Sequence, residues 1–190
     1  MSKHLLTLAA VLFSPIALLA QQGKSNDQIA AQIRSLGVEK EISVTFDSSG
    51  GTSRIKAVTE NFKQKETDAA GLMAMNFALG SFYPGSALQT SPERLMLSMW
   101  AMSKRPRFAD DHKLVVELGG EAIDLGQGRY TPKPQQNMEY LNYEITRQDL
   151  ASIAGGSGAV FRIGKHAFTL TSEQLKVIKA LVNITDVNSK

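Results

Sequence analysis

Lys113-Leu114-Val115-Val116-Glu117-Leu118-Gly119-Gly120-Glu121-Ala122-Ile123-Asp124-Leu125-Gly126 decides the fold class. Leu114, Val116 and Leu118 recur at every second position, the period of a strand with one buried face. Gly119-Gly120 then supplies two residues that accept positive φ at no steric cost, as a tight hairpin turn demands. Ala122, Ile123 and Leu125 continue the apolar pattern beyond the turn. An antiparallel hairpin is therefore expected here, and an antiparallel sheet around it.

Working outward, the same period appears on both sides. Glu139–Ile145 carries Leu141, Tyr143 and Ile145 on one face, and Arg94–Ser103 has apolar residues on both faces, which predicts a central strand. Thr131-Pro132-Lys133-Pro134 must be extended, because each proline restricts itself and its predecessor. Val160–Ile163 and Ala167–Leu170 form a second hairpin around Gly164-Lys165-His166. Ile42, Val44 and Phe46 alternate in a strand closed by Ser48-Ser49-Gly50-Gly51, with Ser53–Phe62 as its returning partner. Lys63–Asp68 reads as a charged loop. Leu72–Leu79 fits either period, so residues 69–82 are left open between helix and strand.

Helices are marked by their caps. Ser25 followed three residues later by Gln28 predicts a helix over 26–36, stopped at Gly37. Thr146 with Asp149 starts another at Arg147–Ala154, ended by Gly155-Gly156-Ser157-Gly158. Thr171 with Gln174 starts a third over 172–183, whose apolar face reads as Leu175, Ile178, Leu181 and Val182. The expected fold class is α+β: mainly an antiparallel sheet or sandwich with short capped helices, one at the C-terminus.

The N-terminal segment speaks of address. Lys3 and His4 precede Leu5–Leu19, in which 12 of 15 positions are apolar, and Ala20 meets Gln21-Gln22. A basic start, an apolar run and a small residue before polar sequence read as a signal peptide over 1–20. The run is short for a membrane anchor, which needs about 20 apolar residues. Residues 21–24 read as a mobile polar tail, and 25–190 as a single β-rich domain. The expected location is periplasmic or secreted, with no membrane span after cleavage, and a bacterial periplasm suits the composition.

Of 190 residues, 21 are basic and 18 acidic. Removing 1–20 takes one lysine and leaves a charge of +2, so the basic balance carries no argument for nucleic acid as a partner. Zero cysteine excludes disulfides, thiolate metal sites and thiol catalysis.

Chemistry-bearing motifs are sparse. Gly155-Gly156-Ser157-Gly158 has helix before and strand after, the reverse of a nucleophile elbow. Asp110-Asp111-His112 offers adjacent metal ligands, but neighbours in sequence point in different directions. Lys104, Arg105 and Arg107 form a basic cluster nearly cancelled by Asp110 and Asp111. Met96, Met99 and Met102 are soft-sulfur candidates for Cu(I). On a helix they would share one side, and on the expected strand Met99 faces away from the other two. No residue is assigned a catalytic or cofactor-binding role.

From Arg94 onward the order of features resembles a recurrent type of exported bacterial β-rich domain. The resemblance rests on the Trp100 strand, the Lys113–Leu125 hairpin, and Phe161-Arg162-Ile163-Gly164-Lys165-His166-Ala167-Phe168-Thr169-Leu170-Thr171 leading into Leu175 and Leu181. It spans about residues 94–185 and implies an antiparallel domain finished by a helix, with no activity attached. The leading functional expectation is an exported, non-catalytic binding or interaction module for an envelope protein or small ligand. The alternatives are an exported enzyme whose site is assembled from distant residues, and methionine-based Cu(I) handling.

Overall fold

Alternating apolar residues need a second layer to bury their shared face, and two sheets with three capped helices supply it for each other. A computed structural model describes residues 23–156 and 158–189. The expected signal peptide, together with Gln21, Gln22 and the Ser157 hydroxyl, lies outside these residues. In chain order the elements are β1 (Lys24–Ser25), α1 (Asn26–Ser35), β2 (Ile42–Asp47), β3 (Thr52–Val58), α2 (Gln64–Ala69), β4 (Ala74–Pro84), β5 (Ala87–Leu88) and β6 (Arg94–Met102). Then come β7 (Lys113–Leu118), β8 (Glu121–Gln127), β9 (Arg129–Lys133), β10 (Met138–Thr146), α3 (Arg147–Gly155), β11 (Val160–Ile163), β12 (His166–Thr169) and α4 (Ser172–Thr185).

The strands form three antiparallel sheets. A six-stranded sheet runs β2-β3-β4-β6-β10-β9, a four-stranded sheet runs β12-β11-β7-β8, and β1 pairs with β5. The fold is thus α+β, mostly antiparallel sheet with short helices, one of them at the C-terminus. The Gly119-Gly120 hairpin forms as expected, with φ of 54° and 120° at the two glycines. β6 is central, between β4 and β10. All three capping interactions are present: Ser25, Thr146 and Thr171 each accept the N3 backbone N–H.

The inner face of the six-stranded sheet presents Met75, Phe77, Leu79, Leu95, Leu97, Met99, Leu141, Tyr143 and Ile145, all buried. Over part of it lies the four-stranded sheet, with Phe77 and Phe161 ring centroids 5.3 Å apart and Phe62 wedged 5.2 Å from Phe168. Such tilted aromatic contacts add about 0.5–1.5 kcal/mol each beyond area burial. Ile29 and Ile33 of α1, Leu150 and Ile153 of α3, and Ile178, Leu181 and Ile184 of α4 join the same core.

Four local expectations need correction or completion. Residues 74–84 are strand, because β3 and β6 offer backbone partners on both sides. Gln64–Ala69, which takes in most of the expected Lys63–Asp68 loop, is a short helix. Thr67 is buried, and Glu66 Oε2 accepts the Thr169 N–H at 3.1 Å, a tertiary anchor invisible in local sequence. The buried face of α4 is rotated from the expected one: Val177, Ile178, Leu181 and Ile184 are buried while Leu175 and Val182 are partly covered. Lys24, expected in the mobile tail, sits in β1. Its ammonium donates to Gln32 Oε1 at 3.0 Å and Ser189 Oγ at 2.8 Å, and burial lowers its pKa.

Candidate functional site

Two places in the fold gather chemistry. The first is the outer face of the six-stranded sheet. Strand alternation turns Arg94, Met96, Ser98, Trp100 and Met102 of β6 away from the core that holds Leu95, Leu97, Met99 and Ala101. The cross-strand rows follow from the register. Met102 stands between Ala74 and Met138, Trp100 between Asn76 and Tyr140, Ser98 between Ala78 and Asn142, and Met96 between Gly80 and Glu144. Trp100, Tyr140, Asn76 and Asn142 are half-buried by their neighbours, while Met96, Met102 and Phe82 are exposed, Phe82 by 62%. Three of the five large exposed hydrophobic side chains among the described residues lie on this face.

From Ala74 to Gly80 the residues facing outward along β4 are small: Ala74, Asn76, Ala78 and Gly80, with Phe82 beyond them. A methyl at Gly80 would meet nothing closer than Ile55 O at 3.7 Å, so packing does not demand glycine there. The strand beside Trp100 and Met96 is thus lined by small side chains. The polar groups of this part of the face are Ser98 Oγ, which donates to Asn142 Oδ1 at 2.7 Å, and Asn76 Oδ1, which is buried and has no hydrogen-bond partner among the described residues. A buried acceptor left unpaired costs about 1–3 kcal/mol.

The charges on the face are one-sided. Arg54 and Lys56 on β3, Arg94 on β6, and Arg129 and Lys133 on β9 face outward, against Asp47 on β2 and Glu144 on β10. Arg94 pairs with Glu144 at 2.8 Å. The Arg54 guanidinium lies 5.2 Å over the Phe82 ring. Asp47 is occupied by the Ser49 N–H and hydroxyl, which together with the Gly50 N–H hold its carboxyl below the usual range. Among the described residues, Lys56, Arg129 and Lys133 have no carboxylate partner.

The second place is Glu139, on the inner face of β10 and 3% exposed. Its carboxylate accepts the Arg107 N–H at 2.9 Å, the Phe108 N–H at 3.0 Å and the Tyr130 hydroxyl at 3.1 Å. Ser103 Oγ, which donates to Arg105 O, lies 3.3 Å away. The loop 103–112 is thereby folded around one buried charge, with Phe108 seated in the core. Burial first, then the charge and hydrogen bond of Glu139, push the Tyr130 phenol up to about 12, so it remains a donor at neutral pH. The His112 ring stacks on Tyr130 at 5.4 Å, and Tyr143, its pKa raised chiefly by burial, donates to His112 O at 2.7 Å. His166 meets the Phe108 ring edge-on at 5.9 Å. Its pKa is lowered by burial and by Lys165 and Arg107. This arrangement fixes a loop: the carboxylate of Glu139 is already engaged by two backbone N–H groups and the Tyr130 hydroxyl.

The candidate residues distribute as follows. Met99 points into the core, 0% exposed, while Met96 and Met102 are on the outer face with the Trp100 and Ser98 rows between them. Met102 instead has Met138 as its cross-strand neighbour. Asp111 Oδ1 accepts the Lys113 N–H while His112 turns to Tyr130. Among the described residues no group of three or more His, Cys, Asp or Glu could hold a metal ion. Lys104 and Arg105 are exposed on the loop, and Arg107 reaches Gly71 O at 3.3 Å. Sequence reasoning missed both gatherings. Glu139 precedes an apolar alternation and continues its parity, a signal that could have marked it as inward-facing. The outer face needed the strand order.

No protein-family model, curated protein or solved structure matches this chain.

Proposed function

We propose that the protein is an exported, non-catalytic binding module, acting in the periplasm or outside the cell, and that the outer face of the six-stranded sheet is its binding surface. The observation that carries this reading is the composition of that face: Trp100, Tyr140, Met96, Met102 and Phe82 turned outward on one sheet. Exposed apolar side chains gathered on one face mark interaction sites, and a rigid sheet holds such groups in register without ordering costs on binding. The Leu5–Leu19 run supports the address.

The test uses in-cell photocrosslinking with fractionation. A photoreactive side chain replaces Met102 on the outer face or, as control, Glu121 on the other sheet. The reading expects the protein in the periplasm or medium and adducts at position 102 alone. Recovery in the cytoplasm, or equal adducts at both positions, overturns it.

A second reading, an enzyme assembled from distant residues, is favoured by one observation: Ser103, His112, Tyr130 and Glu139 meet across 36 residues of chain. In that reading Glu139→Gln abolishes turnover on some exported-hydrolase substrate while the fold survives. In the loop-anchoring reading the same change costs stability and no activity is there to lose.

A further inference from the structure

We infer that the outer face of the six-stranded sheet binds an acidic polysaccharide, with sugar rings on Trp100 and Tyr140 and sugar carboxylates on the flanking cations. The inference rests on the binding-module reading and names its ligand class.

Three features of the face select this chemistry. The first is charge. Five cations oppose two anions, and Arg94–Glu144 and Asp47–Ser49 already satisfy both anions. Lys56 stands on one side of the aromatic row and Arg129 and Lys133 on the other, so the unpaired positive charges flank it. From β3 to β9 there are four strand spacings, about 19 Å in all, which a chain-like ligand can cross and a small anion cannot. The second is the floor. Trp100 and Tyr140 are neighbours in register, and amide and hydroxyl groups surround them: Asn76, Ser98, Thr131 and Asn142. Hydroxyl-rich rings need just this mixture of flat apolar surface and short polar donors and acceptors. The third is shape. Ala74, Ala78 and Gly80 put only small groups beside Trp100, which is itself half-buried.

The same features disfavour other occupants. A second copy of the face would bring two positive surfaces together, and like charges across an interface are repulsive. A bilayer is engaged by apolar tips that stand out from the surface, whereas the middle rows here carry Asn76, Ser98 and Asn142. Single-stranded nucleic acid is gripped by a run of stacked aromatics in a denser basic groove.

Trp100 is the protein's single tryptophan, so its fluorescence reports the face directly. The purified protein is titrated with polygalacturonate, with neutral dextran, with oligo(dT) and with vesicles of phosphatidylglycerol. The expected result is a saturable change in Trp100 emission with polygalacturonate alone, weakened at least tenfold by raising NaCl to 0.5 M, on the order expected when screening shortens to a few ångströms. Calorimetry then expects Tyr140→Ala, and separately Lys56→Glu with Arg129→Glu, to lower affinity at least tenfold, with the far-UV circular dichroism of the folded protein retained. Preference for oligo(dT) or vesicles overturns the ligand class. Binding undiminished by these substitutions overturns the placement. No binding to any polyanion, with crosslinking still confined to Met102, overturns the polysaccharide inference and leaves the binding-module reading standing. Loss of the Met102 crosslink as well removes both.

Discussion

β6 carries methionine on both of its faces, and the two faces do opposite things. Met99 is fully buried between the sheets, whereas Met96, three residues earlier, is 41% exposed and stands in the middle of the row Gly80–Met96–Glu144. The residue type is the same and the backbone hydrogen bonding is the same. Only the parity differs, and parity assigns one thioether to close-packed interior and the other to an open surface. The inner face is held by volume, so a missing atom leaves a hole. The outer face has no volume to fill, so its residues are free to be chosen for contact with something else.

The sharpest way to break this comparison is to truncate both methionines. Met99→Ala is expected to destabilise by about 3 kcal/mol, the transfer free energy of the lost atoms plus an unfilled cavity. Met96→Ala should stay within about 0.5 kcal/mol, as surface changes do. Equal losses in urea denaturation would mean that something covers the outer face.

Glu139 asks whether the inner face tolerates a charge because it is bonded. Glu139→Leu leaves the Arg107 and Phe108 N–H groups and the Tyr130 hydroxyl without their acceptor. A loss of about 2 kcal/mol is expected, together with faster amide exchange confined to residues 103–112. Undisturbed exchange there would show that the carboxylate does not hold the loop.

Trp100→Ala tests the outer face in the other direction. Its stability cost is expected near 1 kcal/mol, well below that of Met99→Ala although the side chain is larger. A cost above that of Met99→Ala would place Trp100 among the structural residues.

The smallest effect is a pH dependence. His166 has its pKa lowered in the folded protein by burial, Lys165 and Arg107. The unfolded chain therefore binds the proton first as pH falls, and stability drops from about pH 6.5 down through the lowered native pKa, then levels. His166→Gln should remove that slope between pH 7.5 and 5.5, by less than about 0.5 kcal/mol for a screened, partly exposed group. A steeper slope in the variant would reverse the sign and overturn the assignment.

What could be read in the sequence divides along the same line as the two faces. Periodicity is local, so Leu114/Val116, Leu141/Tyr143/Ile145 and the caps at Ser25, Thr146 and Thr171 announced their elements directly. Where local signals conflict, tertiary partners decide. Met75, Phe77 and Leu79 are strand because β3 and β6 flank them, and Gln64–Ala69 is helix because Glu66 reaches β12. The candidate site was legible only as ingredients: Trp100 and Met102 on one strand, Tyr140 and Met138 on another, cations on a third and fourth. Nothing in residue order tells that β6 lies between β4 and β10, or that β9 closes the far edge.

By itself, then, the sequence determined an antiparallel α+β chain that must be held without covalent staples, since it has no cysteine. Alternation and capping are properties of neighbours along the chain. Which face of the large sheet would be covered, and what would collect on the uncovered one, was decided by strand order and by where the second sheet and helices docked. Those are relations between residues tens of positions apart, brought together by burial of a shared core rather than by any local pattern.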